Sequence, residues 1–148
     1  MKILSVTITM PQDDAQWVRI SNMARILEKR GLDISIVHYI IKGGESHRKL
    51  ENLSDDDSII INNPLILMFE HLRILKKGEY NLVYGNTFAA TFFCVVGKFM
   101  KKPLILDMHG ISEEYVMNNH SKTFIFIMKL MERLALLFSN KILCVSHE

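Results

Sequence analysis

Six short apolar runs alternate along the chain with five longer segments, most of which repeat their apolar positions at helical intervals. Ile3–Ile8 alternates residue by residue and predicts a first strand. Across Asp14–Arg30, the side chains of Ile20, Met23, Ala24 and Leu27 fall on one helical face, and Gly31 stands where a helix stop belongs. Asp33–Tyr39 predicts a second strand. Lys42–Asp57 is polar, with Gly43–Gly44 and three consecutive aspartates, and predicts an exposed loop. Ser58–Ile61 is a short third strand. Asn63–Lys77 places Leu65, Met68, Leu72 and Leu75 at helix-like intervals, with Pro64 in the first turn. Asn81–Tyr84 is a fourth strand ending in Gly85–Asn86–Thr87. Thr87–Lys101 is almost wholly apolar, as a helix packed on a sheet should be. Pro103–Asp107 is a fifth strand, Lys122–Ser139 a last helix, and Lys141–Val145 a sixth strand ending in Ser146.

Strand followed by helix, repeated, predicts an α/β, Rossmann-like fold. The expected architecture is a mostly parallel, doubly wound sheet in three α/β/α layers, forming a single domain over residues 1–148. Crossovers in such a sheet are right-handed. The polar strand ends Thr7–Pro11, Gly85–Thr87, Asp107–Gly110 and Ser146–Glu148 therefore line one edge, where the ligands of parallel sheets bind.

Composition narrows the classes. A chain of 148 residues that is 49% hydrophobic and 23% charged has a real core and is not disordered. A net charge of +2, from 18 basic and 16 acidic residues, is too balanced to point to nucleic acid. Cys94 and Cys144 lie in apolar runs and read as reduced core thiols. No Cys-x-x-Cys or His/Cys cluster has metal spacing, so no metal is expected. The N-terminus lacks the apolar block and cleavage site of a signal peptide. The runs Phe88–Val96 and Phe124–Phe138 are short or broken by charges, against the roughly 20 apolar residues that span a bilayer. A cytoplasmic location is expected.

His109–Gly110 is the leading site candidate. His109 stands at the fifth strand's end, either presenting its ring to a ligand or lying on the surface of an ordinary turn. Gly110 would let the backbone approach a ligand closely. Asp107 caps the following turn or orients His109, capping being the simpler role. Asn86 and Thr87 either hydrogen-bond a hydroxyl-rich ligand or cap the next helix. The loop Thr9–Asp14 has no glycine and carries Asp13 and Asp14, which would repel a phosphate, so NAD or FAD is not expected. Trp17 and Arg19, early in the first helix, face either the cleft or the core. No Gly-x-Ser-x-Gly elbow supports a triad of Ser146, His109 and Asp107. His38, His47, His71, His120 and His147 have no ligand spacing and receive no role. The helix Lys122–Ser139 is apolar around most of its circumference, with Lys122, Lys129 and Arg133 as a basic stripe. It reads first as a buried helix with one solvated edge. The other readings are a membrane-surface helix and a face covered by another domain.

Four segments, in order, carry a family resemblance: MKILSVTITM with its helix and RGLDISIVHY, then YNLVYGNTFAA, KKPLILDMHGISEE and NKILCVSHE. Together they resemble the N-terminal domain of group 1 glycosyltransferases, the retaining sugar transferases of GT-B fold, over nearly the whole chain. The resemblance implies a transferase of carbohydrate biosynthesis that moves a sugar from a nucleotide-sugar donor to a sugar or lipid-linked acceptor, without cofactor or metal. It implies an acceptor-side domain whose C-terminal donor-binding partner domain is absent from these residues, so the chain is expected to be inactive alone. His109 becomes the expected catalytic residue beside the donor sugar. Gly110, Asn86, Thr87, Ser146 and Asp14 become the expected substrate-binding residues. Where many members have Gly-Gly in the first loop, this chain has Pro11–Gln12–Asp13–Asp14. The alternative reading is a non-catalytic Rossmann-like adaptor that recruits a partner to the inner face of a membrane through Lys122, Lys129 and Arg133.

Overall fold

A computed structural model describes residues 1–9, 14–41, 58–61, 64–108 and 120–144. The elements run β1 Lys2–Thr9, α1 Asp14–Lys29, β2 Asp33–Ile41, β3 Ser58–Ile61, α2 Pro64–Lys77, β4 Leu82–Asn86 and α3 Phe88–Cys94. A 3-10 segment, Val95–Met100, continues α3; β5 Leu104–Met108, α4 Lys122–Phe138 and β6 Lys141–Cys144 follow. The six strands form one sheet in the order β3-β2-β1-β4-β5-β6, and every pairing is parallel. This is the Rossmann-like, doubly wound sheet that the alternation predicts. The predicted loop 42–57 and the first-loop residues 10–13 lie outside the described residues.

Side-chain alternation splits the sheet into two faces. Leu4, Val6, Val83, Leu104 and Leu106 point to the face covered by α2, α3 and α4 and form the core with Leu67, Leu75, Ala90 and Phe93. Burying each large aliphatic side chain there contributes roughly 1.5–3 kcal/mol. Helix α1 covers the other face through Ile20 and Ala24. It ends as expected at Gly31, whose φ of 81° suits glycine and lets Gly31 and Leu32 donate to the carbonyls of Glu28 and Leu27. Helix α3 lies almost on β4. A Cβ on Gly85 would meet Thr91 Oγ1 and come within 2.7 Å of the Thr91 Cα. Only glycine permits that approach.

Four expectations are corrected. Strand β4 continues through Gly85 to Asn86, because both residues complete the pairing of β1 with β5. The long apolar helix over 87–101 is α3 followed by a 3-10 segment, which Lys101 ends with a φ of 57°. Cys94 is a buried thiol as expected, its pKa raised by burial, but Cys144 is exposed on β6, the sheet's edge strand. Helix α4 also departs from its first reading. Among its residues only Met128 and Ala135 are buried, and Phe126, Ile127, Leu130 and Leu137 are exposed.

Candidate functional site

In the observed strand order the direction of winding reverses between β1 and β4. A crevice opens at such a switch point beyond the carboxyl ends of the strands. The residues of that edge on the α1 face form a lateral row. Thr7 of β1 is the register partner of Asn86 of β4, which is the register partner of Asp107 of β5. All three are buried. Ser5 and Tyr84 form the row behind them. A parallel strand covered on both faces should be apolar throughout; here one face of three adjacent strands is polar at its carboxyl end.

The hydrogen bonds divide the row in two. At the Asp107 end, the carboxylate accepts from the Tyr84 hydroxyl at 2.6 Å and from Arg19 Nη2 at 3.1 and 3.3 Å. Burial first, and then the hydrogen bond to Asp107, push the Tyr84 phenol well above its ordinary pKa, so it remains a donor. Arg19 reaches over from α1 and is itself half-exposed, which puts a cation at the solvent margin of the row. At the other end, Asn86 Nδ2 donates to Ser5 Oγ at 2.9 Å and to the Val6 carbonyl at 3.0 Å. A carbonyl only accepts, so Val6 decides which end of the amide faces it. Among the described residues, Asn86 Oδ1 then has no partner, and neither does Thr7 Oγ1. A buried polar atom without a partner costs about 1–3 kcal/mol and is rare in native proteins.

Thr87, next after β4, has φ 95° and ψ 157°, a region that essentially only glycine occupies. Four hydrogen bonds hold it there. Its N–H donates to the Asp107 carbonyl at 2.8 Å, its carbonyl accepts from Thr91 Oγ1 at 2.7 Å and from the Thr91 N–H at 3.0 Å, and its Oγ1 accepts from the Ala90 N–H as the cap of α3. Strain of this kind costs about 1–3 kcal/mol and collects at functional edges. Thr87→Gly relieves the strain and loses only a few tenths of a kcal/mol in capping, partly offset by the unfolded-state entropy of glycine. Thr87→Ala keeps the strain and loses about 1 kcal/mol of cap. The expected order in urea unfolding is therefore Thr87→Gly above Thr87→Ala by about 1 kcal/mol or more. Equal stabilities would show that the backbone there is unstrained.

Of the residues expected to bind substrate, Asn86 and Thr87 come to the sheet edge together. Thr87 takes the capping role; Asn86 turns its amide into the polar row. His109, Gly110 and Ser146 lie outside the described residues, as do the side chains of Asp14, which opens α1, and Trp17. Asp107 lies in the row, with its carboxylate held by Tyr84 and Arg19 as well as at the strand end where it was expected. The sequence pattern puts Thr7 at a polar strand end on this edge and gives Ser5 and Tyr84 no role. Their signal was present: Ser5 and Thr7 alternate through the otherwise apolar Ile3–Ile8 and so share one face. Among the described residues, no group of three or more His, Cys, Asp and Glu gathers as a metal site.

No family model matches the sequence, and neither does any curated protein. Solved structures do match in fold. The UDP-GlcNAc 2-epimerase from Methanocaldococcus jannaschii superposes with a TM-score of 0.70 at 16% identity, over 99% of this chain and 40% of the epimerase. The Neisseria meningitidis enzyme, solved bound to UDP-GlcNAc, gives 0.68 at 14% identity, over 96% and 39%. The S. aureus MnaA structure with UDP gives 0.67 at 13% identity, over 95% and 38%. The chain thus has the α/β fold of one part of these GT-B-like enzymes and spans about two fifths of their length.

Proposed function

We propose that this chain is one half of a nucleotide-sugar enzyme of GT-B type, the half that receives the sugar end of the substrate and the acceptor. The carrying observation is the unpartnered pair, Thr7 Oγ1 and Asn86 Oδ1, at the switch point of the sheet. A sugar hydroxyl has the one donor and the acceptor lone pairs that this pair lacks. The fold shared with enzymes solved with UDP and UDP-GlcNAc supports the substrate class. The order of the sequence segments supports sugar transfer with retention as the reaction. On that reading His109, the first residue beyond β5, acts at the reacting sugar. Gly110, Thr87, Ser146 and Asp14 complete the cleft, and a second domain or subunit holds the nucleotide. No cofactor and no metal enter the proposed chemistry. A cytoplasmic location belongs to the same proposal; among the described residues, no helix is long and apolar enough to cross a membrane.

Epimerisation is the second reading, favoured by the identity of the structural neighbours. The two differ in stoichiometry. Transfer releases the nucleotide and extends an acceptor, whereas 2-epimerisation inverts C2 and needs no acceptor, its product still a nucleotide sugar.

The test is amide chemical-shift mapping on the isotopically labelled chain. UDP-GlcNAc is expected to bind weakly, in the millimolar range, and to move the signals of Thr7, Asn86 and Thr87 more than UDP does. A folded chain whose signals at these three positions ignore UDP-GlcNAc would overturn the reading of the row as a sugar subsite.

A further inference from the structure

We propose that the surface formed by α2, the 3-10 segment and α4 docks on an anionic lipid bilayer. The observation is a concentration of bare apolar side chains on one side of the molecule. Eight of the thirteen exposed large hydrophobic residues described belong to α2, the 3-10 segment and α4. Three of them are phenylalanines on three neighbouring elements: Phe69 at 71% exposure, Phe99 at 88% and Phe126 at 69%. The 3-10 segment lies between α2 and α4 and touches both, so the three rings belong to one face. A soluble monomer seldom leaves so large an apolar surface without a use.

Charge decides the occupant. The chain as a whole is nearly neutral, but its charge is separated. Residues 64–108 and 120–144 carry ten Lys and Arg against four Asp and Glu, and the remaining residues carry eight against twelve. One of those four acids, Asp107, is buried on the opposite face of the sheet and does not offset the basic surface. Lys122 and Arg133 are exposed on α4 itself, beside its apolar stripe, and Lys76, Lys77 and Lys101 are exposed at the ends of α2 and the 3-10 segment. Aromatic rings flanked by lysine and arginine suit a surface that is apolar within and negative at its headgroups. A second copy is the poorer occupant. A twofold interface sets the same patch against itself, and an excess of positive charge on both sides repels. The polar row lies on the other face of the sheet, so docking leaves the candidate site open. Nothing in this docking face depends on the nucleotide-sugar reading.

The test is flotation of the full chain with vesicles of phosphatidylcholine alone and of phosphatidylcholine mixed with phosphatidylglycerol. Binding is expected only to the mixed vesicles and is expected to fall at high salt. Lys122→Gln with Arg133→Gln should weaken it by about 25-fold, near fivefold per basic residue. Phe99→Ser should weaken it by roughly tenfold or more through the lost apolar contact. All three positions are exposed or nearly so, and the thermal midpoints of the variants should match the parent chain. No binding to mixed vesicles at low salt overturns the proposal. So does binding that neither salt nor the charge variants reduce, and so does a dimer in solution that Phe99→Ser dissolves.

Discussion

Asp107→Ala is expected to cost about 3 kcal/mol of folding stability, out of a total of roughly 5–15 kcal/mol for a domain of this kind. The loss has two parts. Removing the carboxylate strands the Tyr84 hydroxyl in a buried site, which is the larger part, because that phenol has been withdrawn from water and is left without its 2.6 Å acceptor. The second part is the lost attraction to Arg19, and it is small, because the half-exposed guanidinium can turn to solvent. Tyr84→Phe removes the donor and leaves the carboxylate still held by Arg19, at a cost of about 1.5–2 kcal/mol. The double variant separates the parts. With the phenol gone, Asp107→Ala no longer strands the Tyr84 hydroxyl, so the pair of changes should cost clearly less than the two single costs together. Urea unfolding of the four proteins measures this directly. Strict additivity would mean that the 2.6 Å contact contributes nothing specific.

The succession of strands and helices could be read from the sequence because parallel strands buried on both faces make short apolar runs, but their lateral order β3-β2-β1-β4-β5-β6 could not, since an apolar run does not say which strand lies beside it. What failed was the inference of which residues face inward. In α2 the interval pattern picks Leu65, Met68, Leu72 and Leu75; Leu75 is buried as expected and the Leu65 side chain lies outside the described residues, but Met68 and Leu72 are only half-buried, and the buried stripe is Leu67, His71 and Leu75. The helix has so many apolar residues that several faces satisfy a helical period, and the one chosen has a histidine at its centre, which a hydrophobicity count rejects. Helix α4 shows the reverse error. Apolar all round, it reads as buried, yet only two of its residues are. An excess of apolar side chains says that a helix seeks cover on more than one side, not that this chain supplies it. The candidate site was half legible for a related reason. Asn86 and Thr87 stand out because they end a strand beside a helix start. Ser5 and Thr7 stay inconspicuous because their meaning arises only when β1 and β4 become neighbours, 81 residues apart between Ser5 and Asn86.

The misplaced histidine carries the other large effect. His71 is fully buried on α2 between Leu67 and Leu75, and burial lowers its pKa from 6.5 to about 4. Charging an imidazole inside the core means removing the charge from water, so the folded chain resists protonation and the unfolded chain does not. The unfolded state therefore binds more protons between the two values, and stability falls as pH falls. The contribution is complete above the unfolded value of 6.5 and is lost progressively on the way down to about 4, on the order of 3 kcal/mol in all. Unfolding free energies measured by urea at successive pH values from neutral to mildly acid should show this slope, approaching about 1.4 kcal/mol per pH unit at its steepest for a single proton. His71→Leu has similar volume and cannot titrate. It loses the imidazole's polar contacts and starts from a different stability at neutral pH, but its curve should be flatter by the histidine's share. A parallel pair of curves would mean that the acid sensitivity of the fold resides elsewhere and that His71 is reached by water. Acid would then leave α2 seated on the sheet. With the slope assigned to His71, acid instead loosens the helix whose outer side carries Phe69, one of the three rings of the proposed docking face.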